Sequence, residues 1–293
     1  FGFGGSRNLK FLIHGRIWRM SCCEMRIDQL NFHTEANYEG IQLFGIGHES
    51  CVLKFIRVIR DLQLLEFAER QKKFGKKIRI VTPFIPERHL GEMKTVLRET
   101  LARPVFEDCV VVVNDLGLMN YLHRIDERRQ MCLGRGLIAC FDYAPWGRSI
   151  YKNESPSIQK AVAQVSLYDD EEMALFRRYQ VTEVEADLTE GSAESLKELQ
   201  KEGFRIYVHR SSILYGTQRS CYIRRRSSDQ TCSGIECERV EKMEPDQLWD
   251  SAGFFEIPPD TNFPTMYLRG NQICGRAYDV SCDWADGIIL RME

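Results

Sequence analysis

No stretch of this 293-residue sequence approaches the roughly 18 consecutive apolar residues of a bilayer span, so no membrane-spanning helix is expected. An excess of either charge is missing too. Lys and Arg number 40 against 42 Asp and Glu, a formal net charge of −2, and no global field steers the chain toward nucleic acid or an anionic membrane. There is no repeat of fixed period and no low-complexity tract. The first residue is Phe1 and the opening lacks the charged and apolar halves of a signal peptide, so the beginning reads as trimmed or partial. Catalytic signatures are absent as well. A Gly-x-Ser-x-Gly elbow and a His-Glu-x-x-His helix are both missing, which ranks peptidase activity low. No Cys-x-x-Cys knuckle is present, and no glycine-rich phosphate turn follows the first candidate strand.

What the sequence does have is cysteine. Eleven is a high count, the number is odd, and the spacing lacks the density of a small secreted disulfide scaffold. A reduced, cytoplasmic protein with a metal or cluster site fits better, although several buried thiols in a core are also unremarkable. The remaining composition, 43% hydrophobic and 28% charged, is that of an ordinary globular chain long enough for one large domain, 1–293.

Short β-rich runs alternate with amphipathic stretches. Candidate strands are 10–14, 40–44, 77–81, 109–113, 136–141, 181–186, 204–209 and 287–290, several of them continuously apolar as strands buried on both faces should be. Between them, 52–72 carries Phe55, Val58, Ile59, Leu62, Leu65 and Phe67 at helical spacing and stops at Gly75. Segments 115–122, 169–179 and 192–200 read the same way, the last with Ser192 as its cap. Eight strands alternating with helices predict an α/β fold, a TIM-like (β/α)8 barrel. Two features interrupt it. A long insertion, 210–286, follows the seventh strand and carries five of the 11 cysteines, and the sequence ends right after the eighth strand, so the expected barrel is incomplete by its last helix.

In such a barrel the chemistry sits on loops that follow the strands' C-terminal ends. Cys51, in Gly45-Ile-Gly-His-Glu-Ser-Cys51, follows the second strand as a helix begins, and Cys221, Cys232 and Cys237 follow the seventh, which brings both groups to one rim. Cys109 and Cys140 read as core thiols of strands, and Cys132 precedes its strand, at the wrong end. Adjacent Cys22 and Cys23 are awkward for chelating one metal, and Cys274 and Cys282 are reserve candidates. Cys232 and Cys237 flank a polar, glycine-containing loop that suits ligation and not packing. Dispersed ligands lean toward an iron–sulfur cluster, and spacing alone leaves zinc open.

These residues also carry a resemblance. A glycine closing the second strand with a cysteine shortly after (Gly45, Cys51), the turn Asn114-Asp115-Leu116-Gly117, and the series Tyr215, Arg219, Cys221, Cys232 and Cys237 resemble the UbiU/UbiV group of collagenase-like peptidase homologues, nearer to UbiV. So do Leu268-Arg-Gly-Asn-Gln272 and the closing 286–291 segment. The resemblance runs from about residue 38 to the end. Two extra residues between Tyr215 and Cys221, a slightly different Cys232–Cys237 gap, and the lack of a basic cluster after Cys51 depart from the pattern. It implies a 4Fe-4S cluster on Cys51, Cys221, Cys232 and Cys237 and oxygen-independent hydroxylation of a small organic substrate. It also implies a paralogous UbiU-like subunit as partner in a heterodimer. With four thiolates the cluster is coordinatively complete and reads as an electron relay.

Strand-end residues expected to line a substrate cavity are Thr82, Asn114, Asp142, Tyr143, Trp146 and His209, of which Asp142, Tyr143 and His209 are the catalytic candidates. His209 suits proton donation or substrate binding, or equally a structural bond to backbone. Glu183, Glu185 and Asp187 share a strand face: inward they make a carboxylate cluster, and one residue out of register they meet solvent or Lys and Arg partners. An RNA partner, as in some relatives, has one supporting feature, Arg224-Arg225-Arg226, and such a run is usually a solvated loop.

Overall fold

The computed structural model describes residues 9–13, 16–20, 22–27, 38, 40–167, 169–218, 221, 240–243 and 264–291. The first apolar run does not enter a barrel. It forms β1 (Leu9–Ile13), paired antiparallel with β2 (Arg16–Met20), two residues farther on. A neighbouring run of matching length offers a local partner that needs no crossover.

The barrel itself is closed and parallel. Its strands, in order around the wall, are β3 (Cys23–Ile27), β4 (Leu43–Gly47), β5 (Lys77–Val81), β6 (Val110–Val113), β7 (Met131–Leu133), β8 (Val181–Ala186), β9 (Arg205–His209) and β14 (Gly287–Arg291), which pairs back onto β3. This is the expected α/β, TIM-like architecture with two strands reassigned. The first is β3, not the more apolar 10–14, whose residues 10–13 pair with β2 instead. The fifth is β7, not 136–141. The apolar stretch Leu137-Ile138-Ala139-Cys140 instead follows a turn in which Leu137 N–H donates to Gly134 O (2.9 Å), and leads into a single 3-10 turn, Phe141–Tyr143.

Helices pack outside. The expected 52–72 helix is two, α1 (Val52–Arg60) and α2 (Leu62–Lys73), because Asp61 takes an extended conformation and its carboxylate accepts from Leu64 N–H at 3.1 Å, capping the second. Leu62, expected inside, is consequently 73% exposed. Then come α3 (Leu90–Leu101), α4 (Leu116–Ile125) capped by Asp115, α5 (Gly147–Tyr151), α6 (Pro156–Ala163), α7 (Asp170–Arg178) capped by Asp169, and α8 (Ser192–Lys201), preceded by Gly191 and not capped by Ser192. Between them and the strands lies the apolar core, with Phe44, Ile46, Phe55, Phe67, Ile80, Val111 and Val113 all buried.

Between β9 and β14 the chain builds a four-stranded antiparallel sheet in the order β10 (Ser212–Thr217), β13 (Gln272–Arg276), β12 (Met266–Arg269), β11 (Val240–Met243). No helix among the described residues is long and apolar enough to cross a membrane.

Candidate functional site at the barrel mouth

Alternation along each strand sends one set of side chains to the helices and the other into the lumen. The inward set is mostly charged at its centre, with uncharged Leu43, Val112 and Tyr207 among its neighbours. Arg79 donates to Glu24 Oε2 at 2.7 Å and bonds Glu183, and its guanidinium carbon lies 4.0 Å from the centre of the Tyr207 ring. Arg26 bonds Glu185, and Arg205, at the strands' N-terminal end, bonds Glu183. Room for these long side chains comes from β4, which beyond Leu43 presents glycine: a Cβ on Gly45 would sit 2.3 Å from Glu24 Oε1 and 2.8 Å from Arg26 Cδ. Gly47, at φ +128°, is required for its conformation as well.

Burial penalises the Arg79 cation, but Glu24 and Glu183 outweigh it and hold its pKa well above the usual range. His209 goes the other way. Burial, reinforced by the Arg135 charge, lowers it to about 3, so the ring is neutral, and its Nε2, 3.2 Å from Glu185 Oε2, is the natural N–H donor to that carboxylate.

One layer higher the lumen opens. Arg135, just past β7, grips Glu49 with a fork, Nε to Oε2 at 3.0 Å and Nη2 to Oε1 at 2.7 Å, while Nη1 reaches Asp187 Oδ1 and Ser212 O, both at 2.9 Å. Gln272 Nε2 adds a bond to Glu49 Oε1 at 3.0 Å, and Arg291 stands 3.5 Å away. Burial alone would raise the Glu49 pKa, but Arg135 and Arg291 hold it well below the carboxylate range. Against this polar floor lies a cavity of about 420 Å³ walled by Phe84, Asn114, Ile138, Phe141, Tyr143, Leu214 and Tyr215. All of its walls stand on segments that follow barrel strands, the face where barrel chemistry sits.

The expected site residues distribute unevenly. Tyr143 lines this cavity, and its hydroxyl donates to Asp187 O at 2.5 Å. Asp142 is buried on the other side of its turn, close against Gly191, and is not in the cavity wall. His209 faces the lumen below and Trp146 lies outside the wall, just before α5. Thr82 donates from Oγ1 to Val112 O at 2.8 Å, and Asn114 links β5 to the loop after β7 by donating to Thr82 O (2.9 Å) and accepting from Gly136 N–H (3.1 Å). Glu183, Glu185 and Asp187 do face inward, each held by arginine.

Cys51 and Cys221 are both half-buried. The Cys51 backbone N–H donates to His48 Nδ1 at 3.0 Å, just before α1. Asn271, in the β12–β13 turn, clasps both neighbourhoods: its Nδ2 donates to Ser50 O at 2.8 Å and to Gln218 O at 2.7 Å, and Gln218 N–H returns a bond to Asn271 O at 2.9 Å. Cys232, Cys237 and Arg224-Arg225-Arg226 lie outside the described residues. Cys132, expected before its strand, sits within β7 facing the lumen, where burial pushes its thiol well up. Cys140, expected in a strand, follows one, and its thiol donates to Ala163 O at 3.2 Å. Burial likewise raises Cys22 and Cys282 to about 11 and Cys23 and Cys109 to about 12. Among the described residues no group of three or more His, Cys, Asp or Glu side chains is placed to hold a metal ion.

Glu49, Arg135 and Asn271 were missed by the sequence reading. A signal existed for each: Glu49 stands inside the segment that leads to Cys51, Asn271 inside Leu268-Arg-Gly-Asn-Gln272, and Arg135 interrupts two glycines before an apolar run. Comparison with protein-family models, with curated proteins and with solved structures finds no match in any of the three.

Proposed function

We propose that this chain is a 4Fe-4S protein of the UbiU/UbiV kind that takes part in oxygen-independent oxidation of a small organic molecule bound at the barrel mouth. The observation that carries this reading is the Asn271 clasp. It belongs to the Leu268-Arg-Gly-Asn-Gln272 segment, and it ties the backbone beside Cys51 to the strand end that leads to Cys221, next to the cavity's polar floor. The two thiols are half-buried, unlike the core thiols of Cys23, Cys109 and Cys132, which suits ligands that need access to an ion.

Cys51, Cys221, Cys232 and Cys237 would hold the cluster, which when bound supplies one-electron transfer. The chain's own residues do the rest. The Arg135–Glu49 fork fixes a polar floor, and the aromatic and aliphatic walls exclude water from whatever they cover. Tyr143 has its hydroxyl committed to Asp187 O, so it shapes the wall and does not serve as an acid. A cavity of about 420 Å³ suits a small molecule. A paralogous UbiU-like subunit is the proposed partner in a heterodimer, and a reducing, cytoplasmic setting accords with the thiol form of Cys22, Cys23, Cys109, Cys132, Cys274 and Cys282.

The test is anaerobic purification with iron and sulfide analysis. About four irons per chain are expected, with most of them lost in Cys51→Ala and in Cys221→Ala. Asn271→Ala is expected to lower iron retention while the protein stays folded. A colourless chain with stoichiometric zinc would overturn the proposal.

A further inference from the structure

Below the mouth a second, smaller cavity of about 20 Å³ is bordered by the polar side chains of Arg26, His48, Glu49, Arg135, His209, Ser211 and Arg291, with Val81 and Ile289 beside them. Arg26 is only 7% exposed, yet its hydrogen bonding is incomplete. Nη2 bonds Glu185, Nε lies 2.9 Å from Glu24 Oε1 but off the hydrogen-bonding direction, and Nη1 meets no acceptor. A buried guanidinium N–H without an acceptor forfeits a charge-assisted bond, the kind most costly to leave unmade. Ser211 adds a second donor. Its oxygen accepts from Arg291 N–H at 2.9 Å, which leaves the hydroxyl hydrogen to point elsewhere.

The signs of the lining select the ligand. Three guanidiniums, those of Arg26, Arg135 and Arg291, border the cavity against one carboxylate, Glu49, and His209 is neutral; Glu24, Glu185 and Asp187 stand behind the arginines. A space of this size seats about one oxygen-sized atom. We propose that it is an oxyanion subsite, in which Arg26 Nη1 and the Ser211 hydroxyl bind one oxygen of a carboxylate or similar small oxyanion. Glu49 and Arg135 border this cavity and the larger one alike, so the oxyanion is either free or the acid end of a molecule whose apolar body fills the mouth. The inference does not rest on the cluster.

Calorimetric titration of the full chain with formate, phenylacetate and neutral phenylacetamide tests it. Phenylacetate is expected to bind at least about tenfold tighter than phenylacetamide. Formate equal to phenylacetate would identify a free oxyanion as the occupant, and formate much weaker would identify the acid end of a mouth ligand; both support the subsite. Arg26→Lys, which keeps the charge but loses the fork, is expected to weaken phenylacetate about tenfold or more. Ser211→Ala, outside the ion network, is expected to weaken it about fivefold and serves alone if Arg26→Lys does not fold. Equal affinity for acid and amide, no effect of Ser211→Ala, or a crystal structure from phenylacetate solution with a lone water on Arg26 Nη1 would overturn the proposal. None of these readouts depends on iron.

Discussion

The layer between the strands and the helices is made of apolar residues such as Phe44, Ile46, Phe67, Ile80 and Val111, whereas the layer inside the same strands sets the charged Glu24, Arg26, Arg79, Glu183 and Glu185 among a few uncharged side chains such as Val112 and Tyr207. Both are buried, but they are stabilised in different ways. The outer layer gains by removing apolar area from water, roughly 25 cal/mol per Å², and tolerates conservative changes one methylene at a time. The inner layer gains little net free energy from its ion pairs, because desolvation offsets their attraction. It is nevertheless intolerant of losing any one member, since the partner is then left charged in a dry place. On this basis the outer layer is expected to supply most of the stability, and the lumen to fix which partners the inward side chains of the wall can meet.

The sharpest way to break this comparison is Arg79→Met. It leaves Glu24 and Glu183 without their shared cation and should cost about 3–5 kcal/mol in urea unfolding. Adding Glu24→Gln and Glu183→Gln should recover a good part of that loss, and a triple variant no better than the single would contradict the ionic account. Gly45→Ala should cost about 1–3 kcal/mol, because its new methyl meets Glu24 and Arg26 on arrival.

A pH series separates the layers again. His209 has a folded pKa of about 3 against about 6.5 unfolded, so between these values the unfolded chain binds the proton and the folded chain does not. Its contribution is therefore complete above pH 6.5 and lost as pH falls, with a slope approaching about 1.4 kcal/mol per pH unit. His209→Gln should flatten the stability profile between pH 6.5 and 5, while Ile46→Val in the outer layer should shift the profile down by about 0.5–1.5 kcal/mol without changing its slope. Parallel profiles for all three proteins would remove His209 from the account.

The outer layer is also what the sequence made legible. The unbroken apolar run 109–113, and the apolar residues at alternate positions in 77–81 and 181–186, located much of the wall, and with eight candidate strands the barrel followed. In β3, Glu24 and Arg26 alternate as Arg79 does in β5 and Glu183 and Glu185 do in β8, but the strand is short and the more apolar 10–14 lies just before it; only the closed ring shows that these charges face partners on the opposite wall. The short β7 was lost for a related reason: three residues carry no periodicity, and the more apolar 137–140 drew attention to what is a mouth loop. Of the mouth itself, Asn114 was legible as a strand-end residue, whereas Tyr143 was reached through 136–141, which is a mouth loop and not a strand. The Arg135–Glu49 fork joins positions 86 residues apart, and the Asn271 bond to Ser50 joins positions 221 apart, so only the folded chain reveals either.

The proposal that Cys51 and Cys221 hold a redox cluster beside this mouth is open to test by electron paramagnetic resonance of the anaerobically purified chain after dithionite reduction. The account predicts a signal from a reduced 4Fe-4S cluster that is abolished in Cys51→Ala and Cys221→Ala. A wild-type chain that is silent and iron-free, with zinc bound or with both thiols open to alkylation at full rate, would contradict it.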